Sequence, residues 1–534
     1  MPTKIVGFIL SKTPISYVPR INPLIKTKVL KGAWGELVLY GSGEFEPVAN
    51  GQWSLGFPPT TDLLQHNLLL TVGPEEVIIE SDWIGGIPVF YNSKEQIVST
   101  YAKVCLGEDR AFDEEGLYLF LRYGFSVFGT TPFRSVKSLR YSSVLHFSAE
   151  GLKVKEKDDP ALFLNLSVAA NEEEIRALIR ADLEKVFNYS SQTLVCPLSG
   201  GLDSRVLCSL IPDEQRSRVM TYTFGISPRQ EKSFEAQIAR SVAEKLDISW
   251  QHIPLSKAYE DVDEWHDLFG FATHLHGMNH IEFLKKIRQD LPDVEHPVLL
   301  SGLTGGAFSG GYLGGLRVEH PNQLYHLALT HDLNCNPLLP PKVTEAESRF
   351  FEQNRQLLAD PRWYSVVSMR LKMGLLHYLY KLPDHLGFSS CSPYHNFRTV
   401  GKMLSLPPHR LNNRFWVKEY FKKEGLHFRT RFFYGDTRNT LNRQLFEGTD
   451  YENLNPNRWI STPVAPEKVE ALNQFFQSYH QSSSKVKRFL TTQRVVKEVV
   501  KVFGLKNEFN QKLSAYQTLR SLELSLQEGF DSQP

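Results

Sequence analysis

Short alternating apolar and polar runs fill the first third of the chain, and helical spacing takes over after Asn171. Runs at Lys4–Leu10, Glu36–Tyr40, Leu68–Val72, Glu76–Glu80, Pro88–Tyr91 and Gln96–Thr100 predict strands, many of them bounded by Gly, Pro, Asn or Ser. A helix is predicted over Asp113–Tyr123, where Leu117, Phe120 and Leu121 share a face and Asp113 serves as cap. The run VLHFSAEGLKVKE then predicts a hairpin turning at Glu150-Gly151. From Asn171 the period lengthens: Ile175, Leu178, Ile179, Leu183 and Val186 fall on one helical face behind an acidic first turn.

Beyond that helix, strands and helices take turns. Leu194–Leu198, Val219–Ile226, Ile248–Pro254 and Pro297–Leu300 read as strands, with an amphipathic helix at Ser233–Leu246. This rhythm predicts a parallel sheet covered on both faces, with ligands beyond the carboxyl ends of its strands. Lys485–Ser532 reads as a packed terminal helix with an apolar stripe of Val496, Val499, Val500 and Phe503. The break divides the chain into residues 1–170 and 171–534.

The chemistry concentrates in TLVCPLSGGLDSRVLCSLI, Thr193 to Ile211. A strand ends at Ser199-Gly200-Gly201, and a helix begins near Asp203 with Val206, Leu207 and Leu210 on one face. Unpaired N–H groups at such a helix start attract anions, phosphate above all. Ser199 and Ser204 add hydroxyl donors, and Asp203 is the residue able to hold magnesium. The Gly-Lys-Ser/Thr ending of a Walker loop is missing, and so is the third glycine of a dinucleotide fingerprint.

Composition narrows the partners. The 534 residues are 41% hydrophobic and 22% charged, ordinary for globular domains, and the length favours two of them. A formal net charge of +1 gives no electrostatic reason for a nucleic-acid or membrane partner. No apolar run reaches membrane-spanning length, and MPTKIVGFIL is interrupted too early by Ser11-Lys12 for a secretory signal. Five cysteines without metal-ligand spacing suit a reducing compartment, so a cytoplasmic protein is expected.

The string SGGLDSR resembles the pyrophosphate loop of the AMP-forming ATP pyrophosphatases, a group that includes asparagine synthetases, β-lactam synthetases and lasso-peptide cyclases. Ser81–Thr100 and Phe112–Val154 resemble the amino-terminal glutaminase domain of asparagine-synthetase-like proteins. The resemblance implies an α/β fold: an N-terminal glutaminase-like αββα domain joined to a C-terminal parallel-sheet adenylating domain. It also implies ATP and Mg2+, with Ser199, Gly200, Gly201, Leu202, Asp203 and Ser204 around pyrophosphate, Asp203 on the metal, and backbone near Phe224 on adenine. Active glutaminases of the family use a Cys directly after the initiator Met. Pro2 stands there, so the domain is expected not to hydrolyse glutamine, and nitrogen is expected as ammonia or an amine.

SGLTGGAFSGGYLGG, Ser301–Gly315, takes the place of the family motif SGEGSDELFGGY. Ser301, Gly302, Gly310, Gly311 and Tyr312 match, whereas the catalytic Glu falls on Leu303 and a magnesium-binding Asp on Gly306. Both losses weaken the expected activity. Met369–Pro407 resembles the segment PFLDHRLVEFALSLP, with Asn396 in place of an Asp. The family's cation for the oxyanion lies downstream, leaving Lys422, Lys423, Arg429 and Arg431 as candidates. His274, His276 and His280 lack the Cys or carboxylate of a zinc pattern and read as a substrate-pocket wall or as buried imidazoles.

Three functions stay open: an ATP-dependent, AMP-forming amide ligase on a small-molecule or peptide carboxylate, a lasso-type macrolactam cyclase, and a weakened nucleotide-binding pseudoenzyme. A homodimer stays open as the assembly.

Overall fold

The computed structural model describes residues 4–20, 25–190, 193–311, 316–328, 339–428, 439–447, 451–481 and 508–527. Its first part is built from two antiparallel sheets. One has the order β2(Lys26–Gly32), β3(Gly35–Ser42), β1(Lys4–Ser11), β8(Ile97–Ser99), β7(Phe90–Asn92), β9(Lys137–Ser138). The other runs β11(Gly151–Glu156), β10(Ser143–Ser148), β6(Glu76–Ser81), β5(Leu68–Val72), β4(Gln52–Ser54). Phe8, Leu10, Leu37, Leu39, Leu68, Leu70, Val77, Ile79, Leu145 and Phe147 meet between them, as period-two strands with one apolar face require. These sheets fit a glutaminase-like domain.

The hairpin forms one residue earlier than the spacing suggests. Ser148 pairs with Gly151, so Ala149-Glu150 make the turn and Gly151 takes a φ of +133° that favours glycine. The helix α1(Glu114–Tyr123) is capped as expected, Asp113 accepting from the Gly116 N–H at 2.7 Å. With Val6, Ile9 and Tyr40 on the outer face of the first sheet, Leu117, Phe120 and Leu121 of α1 join a second core. That core takes in helices of the later half, so the two parts share buried surface.

The later half contains α2(Glu172–Tyr189), α3(Leu202–Leu210), α4(Phe234–Leu246), α5(Val262–Phe269) and α6(Asn279–Asp290) around a five-stranded parallel sheet. Its order is β14(Ser249–His252), β13(Val219–Thr223), β12(Leu194–Pro197), β15(Val298–Leu300), β16(Ser389–Cys391). The chain adds β13 and β14 on one side of β12, then crosses to add β15 and β16 on the other. The switch point therefore lies between β12 and β15.

Polar clamps tie the halves together. Arg370 donates to the Trp83 carbonyl and to both carboxylate oxygens of Asp159, at 2.6 and 2.7 Å. Trp83 Nε1 donates to the His395 carbonyl at 2.9 Å. The helix Glu508–Gln527 packs against α1 and α5, whereas the expected stripe Val496–Phe503 lies outside the described residues. Among the described residues no helix is long and apolar enough to cross a membrane.

Candidate active site

β12 ends at Pro197, and Ser199-Gly200-Gly201 carry the chain into α3. Serine hydroxyls hold the bend. The Ser199 N–H donates to Ser204 Oγ at 3.2 Å, the Gly201 N–H to Ser199 Oγ at 3.2 Å, and the two hydroxyl oxygens lie 3.3 Å apart. Gly201 stands at the cap position of α3 and provides no side-chain acceptor, so the first-turn N–H groups keep their positive character. A Cβ on Gly200 would lie 2.9 Å from the Glu235 Cα, which is why a glycine must stand there. Ser199 and Gly201 are exposed, and Leu202 and Asp203 half-buried, as a ligand loop needs.

Arg205, which the sequence reading passed over, fixes the loop from beneath. Its guanidinium donates to the Gly200 carbonyl at 2.8 Å and to the Leu426 carbonyl at 3.0 Å, over the rings of Phe421 and Phe428. Burial draws its pKa down to about 10, so it stays charged near neutrality.

Across the switch point, β15 ends in the second glycine-rich loop. The Ser301 N–H donates to the Cys391 carbonyl, and the Leu303 N–H to Ser301 Oγ at 3.1 Å. Gly302 packs against α3 so closely that a Cβ would lie 2.9 Å from the Ser204 nitrogen. The chain then winds through Ala307–Gly311, where Gly310 has φ +107° and faces the Leu411 carbonyl. Trp416 Nε1 pins this turn by donating to the Ser309 carbonyl at 3.0 Å. Tyr394 OH donates to the Asp203 carbonyl at 3.2 Å. Ser199, Gly200, Gly201, Leu202, Asp203, Ser204, Ser301 and Gly302 thus form one cluster on two loops. Tyr312 lies outside the described residues.

Phe224 follows β13, which stops at Thr223 rather than running to Ile226. The Ile226 carbonyl instead accepts from Thr440 and Leu441 N–H groups. Phe224 packs edge-on against His280 and Phe283, centroids 5.7 and 5.0 Å away. His274, His276 and His280 each donate from Nδ1 to a backbone carbonyl, of Gly124, His274 and Gly277 respectively. Burial draws the His274 and His280 pKa values down to about 4, so they are neutral imidazoles of the interior. Asn396 caps the helix Phe397–Leu404 and donates to Asp182 at 2.8 Å.

The cation that meets Asp203 is Arg414. Its Nη1 lies 3.3 and 3.5 Å from the two carboxylate oxygens. Lys422 and Lys423 sit on the exposed end of the helix Phe415–Lys423, where Lys422 Nζ donates to Glu419 at 2.6 Å. Neither touches the loop cluster, and Arg429 and Arg431 lie outside the described residues. Asn413 and Arg414 both have positive φ, 52° and 55°. The Asn412-Asn413 pair, tolerant of that conformation, was the available signal that RLNNRF turns back toward the site.

Burial pushes the Asp203 carboxyl above its ordinary value, with Arg414 pulling it down. Magnesium is normally held by one or two carboxylates and substrate phosphates. Here the one carboxylate is already paired with Arg414, and position 306 has no side chain. Among the described residues, no group of three or more His, Cys, Asp or Glu could hold a metal. Asp203 is therefore left as a single carboxylate for a magnesium shared with substrate phosphates, without the second carboxylate that a side chain at position 306 would add.

Residues 175–385 match the family model for asparagine synthase. Among solved structures, the NH3-dependent NAD synthetase from Campylobacter jejuni subsp. jejuni NCTC 11168, in complex with the nitrate ion, is 16% identical. The alignment covers 39% of this chain and 96% of that one at a TM-score of 0.23. No curated protein matches. The family model spans β12, α3, β13, β14 and β15, the elements that place both glycine-rich loops. Over those residues the chain is similar to asparagine synthases.

Proposed function

We propose that this protein is an ATP-dependent, AMP-forming amide ligase. A carboxylate oxygen of the substrate attacks the α-phosphorus of ATP, the bond to the bridging oxygen breaks, and pyrophosphate leaves. An amine nitrogen then attacks the acyl carbon, loses a proton, and AMP departs with the former carboxylate oxygen. The observation that carries this reading is the uncapped start of α3 behind Ser199-Gly200-Gly201, facing the Ser301–Gly311 loop at the switch point of a parallel sheet. Preorganised N–H groups aimed at a departing anion stabilise charge with little reorganisation.

The nitrogen donor in this reading is ammonia or an amine. Cys105, the first cysteine of the chain, is no candidate for glutamine attack. It is buried, its thiol donates to the Phe90 carbonyl at 3.3 Å, and burial pushes its pKa up. Leu303 supplies no proton acceptor, so the amine loses its proton to solvent or to a substrate group.

The test is ATP–pyrophosphate exchange across a panel of small and peptide carboxylates, wild type against Asp203→Ala. Exchange with one carboxylate class, lost in Asp203→Ala, supports the ligase. A peptide as the only active carboxylate points to the macrolactam cyclase. ATP binding with no exchange for any carboxylate leaves the pseudoenzyme. Product formation from glutamine alone overturns the choice of nitrogen donor.

A further inference from the structure

Position 306 faces Asp203 with no side chain of its own. A Cβ there would lie 3.0 Å from Asp203 Oδ2 and 3.4 Å from Arg414 Nη1. The space into which a second carboxylate would project is therefore bordered by an aspartate and a guanidinium. Arg414 holds its place at a conformational cost, since it is a long-chain residue with left-handed backbone, directly after the left-handed Asn413. The neighbouring contacts enforce it: Leu411 packs its carbonyl against Gly310, and Trp416 bonds the Ser309 carbonyl.

Simple neutralisation of Asp203 does not account for this arrangement. The two side chains are 28% and 29% exposed, open to the crevice rather than sealed. An ion pair so exposed contributes little stability, less than a left-handed arginine costs. A guanidinium at the crevice between two glycine-rich loops has a better use. It carries five donors in a planar fork, and phosphate oxygens accept such forks two at a time.

We infer that Arg414 is the fixed cation that binds the discarded pyrophosphate, in place of the metal that a carboxylate at position 306 would help to hold. The inference rests on the ligase reading and adds that nucleotide binding depends on Arg414 more than on magnesium. A guanidinium cannot dissociate, so its charge is present before ATP arrives. The carboxylate of Asp203 then aims the guanidinium rather than ligating an ion.

Calorimetric titration of the full chain with ATP and with pyrophosphate, in magnesium and in EDTA, tests it. The proteins are wild type, Arg414→Lys, Arg414→Met and Arg414→Met/Gly306→Asp, each checked by thermal melting. Wild type is expected to change affinity by no more than about threefold on removal of magnesium, and Arg414→Met to lose about tenfold or more in EDTA. Arg414→Lys should retain binding in EDTA, and the double variant should bind only with magnesium. Wild-type binding that collapses in EDTA, or an Arg414→Met variant that binds like wild type, overturns the inference and leaves the ligase reading standing. Absence of ATP and pyrophosphate binding to wild type under both conditions overturns both.

Discussion

Lys4 and Asp384 form an ion pair buried between the two halves of the chain, Nζ to Oδ2 at 3.2 Å with Lys4 only 1% exposed. Lys4 also donates to the Leu55 carbonyl, and Asp384 accepts from the Ser390 N–H and hydroxyl. The Leu55 bond lies within the first half and the Ser390 bonds within the later half, so the ion pair itself carries this contact across the junction. Removing one partner leaves the other charged, buried and alone, a loss of about 3–5 kcal/mol, whereas replacing both with apolar residues costs much less. Lys4→Met and Asp384→Leu should each lower the urea midpoint strongly, and the double variant should recover most of the loss. Single variants no worse than a break in the exposed Arg240–Glu244 pair would show that the junction does not depend on this contact.

The pattern of apolar residues disclosed what lies on a regular period or in a constrained loop. Leu68–Val72 is found as drawn, and Leu194–Pro197, Val219–Thr223, Ser249–His252 and Val298–Leu300 lie inside the runs expected for them. Strands that owe their place to pairing rather than composition were not legible. Ser389–Cys391 is polar in sequence, yet it closes the sheet beside β15 because parallel pairing with Val298–Leu300 satisfies its backbone. Lys26–Gly32 is a lysine-rich edge strand, protected from further pairing by its charges and silent to hydrophobicity. Arg414 was missed because its role comes from two left-handed residues in a polar turn, which no periodicity reports.

Mild acid should destabilise the fold. Burial holds His274 and His280 at about 4 and His377, His385 and His395 at about 3, all below the ordinary 6.5. A depressed folded value means that the unfolded chain binds more protons below the ordinary value. Their contribution is therefore present above it and lost as pH falls toward the folded values, each imidazole adding about 1.4 kcal/mol per pH unit. Asp82, raised to about 6 by burial, works oppositely: its contribution is full below 3.8 and lost as pH rises through 6. One carboxyl against five imidazoles leaves the net slope downward into acid, though the raised Asp203 and Asp384 soften it. Thermal melts should show the midpoint dropping between about pH 7 and pH 5. A flat or rising midpoint over that range would contradict neutral burial of these rings.

Arg205 is expected to couple stability to nucleotide binding. Arg205→Met leaves the Gly200 and Leu426 carbonyls without their donors, at a cost of about 2–4 kcal/mol. Because Gly200 is in the anion loop, ATP binding should weaken as well. Arg205→Lys restores one bond of the fork and should fall between. Equal ATP affinity in all three proteins would mean that the loop holds its shape without the guanidinium.

Gly302 offers the sharpest separation of site from fold. A methyl group at this position would lie 2.9 Å from the Ser204 nitrogen and 3.3 Å from the Asp203 carbonyl carbon, both backbone atoms that no rotamer change can move. Either the Ser301–Gly311 loop or the start of α3 must shift, and both line the same crevice. Gly302→Ala should therefore cost about 1–3 kcal/mol of stability yet weaken ATP or pyrophosphate binding by about tenfold or more. Gly73→Ala is the comparison, because its nearest neighbour, the Glu76 carbonyl oxygen, would stand at an ordinary 3.4 Å on the turn between β5 and β6. Titrating both variants with pyrophosphate, after matching them by thermal melt, distinguishes local blockage from general loosening. If Gly302→Ala binds as tightly as Gly73→Ala, the anion does not sit between these two loops.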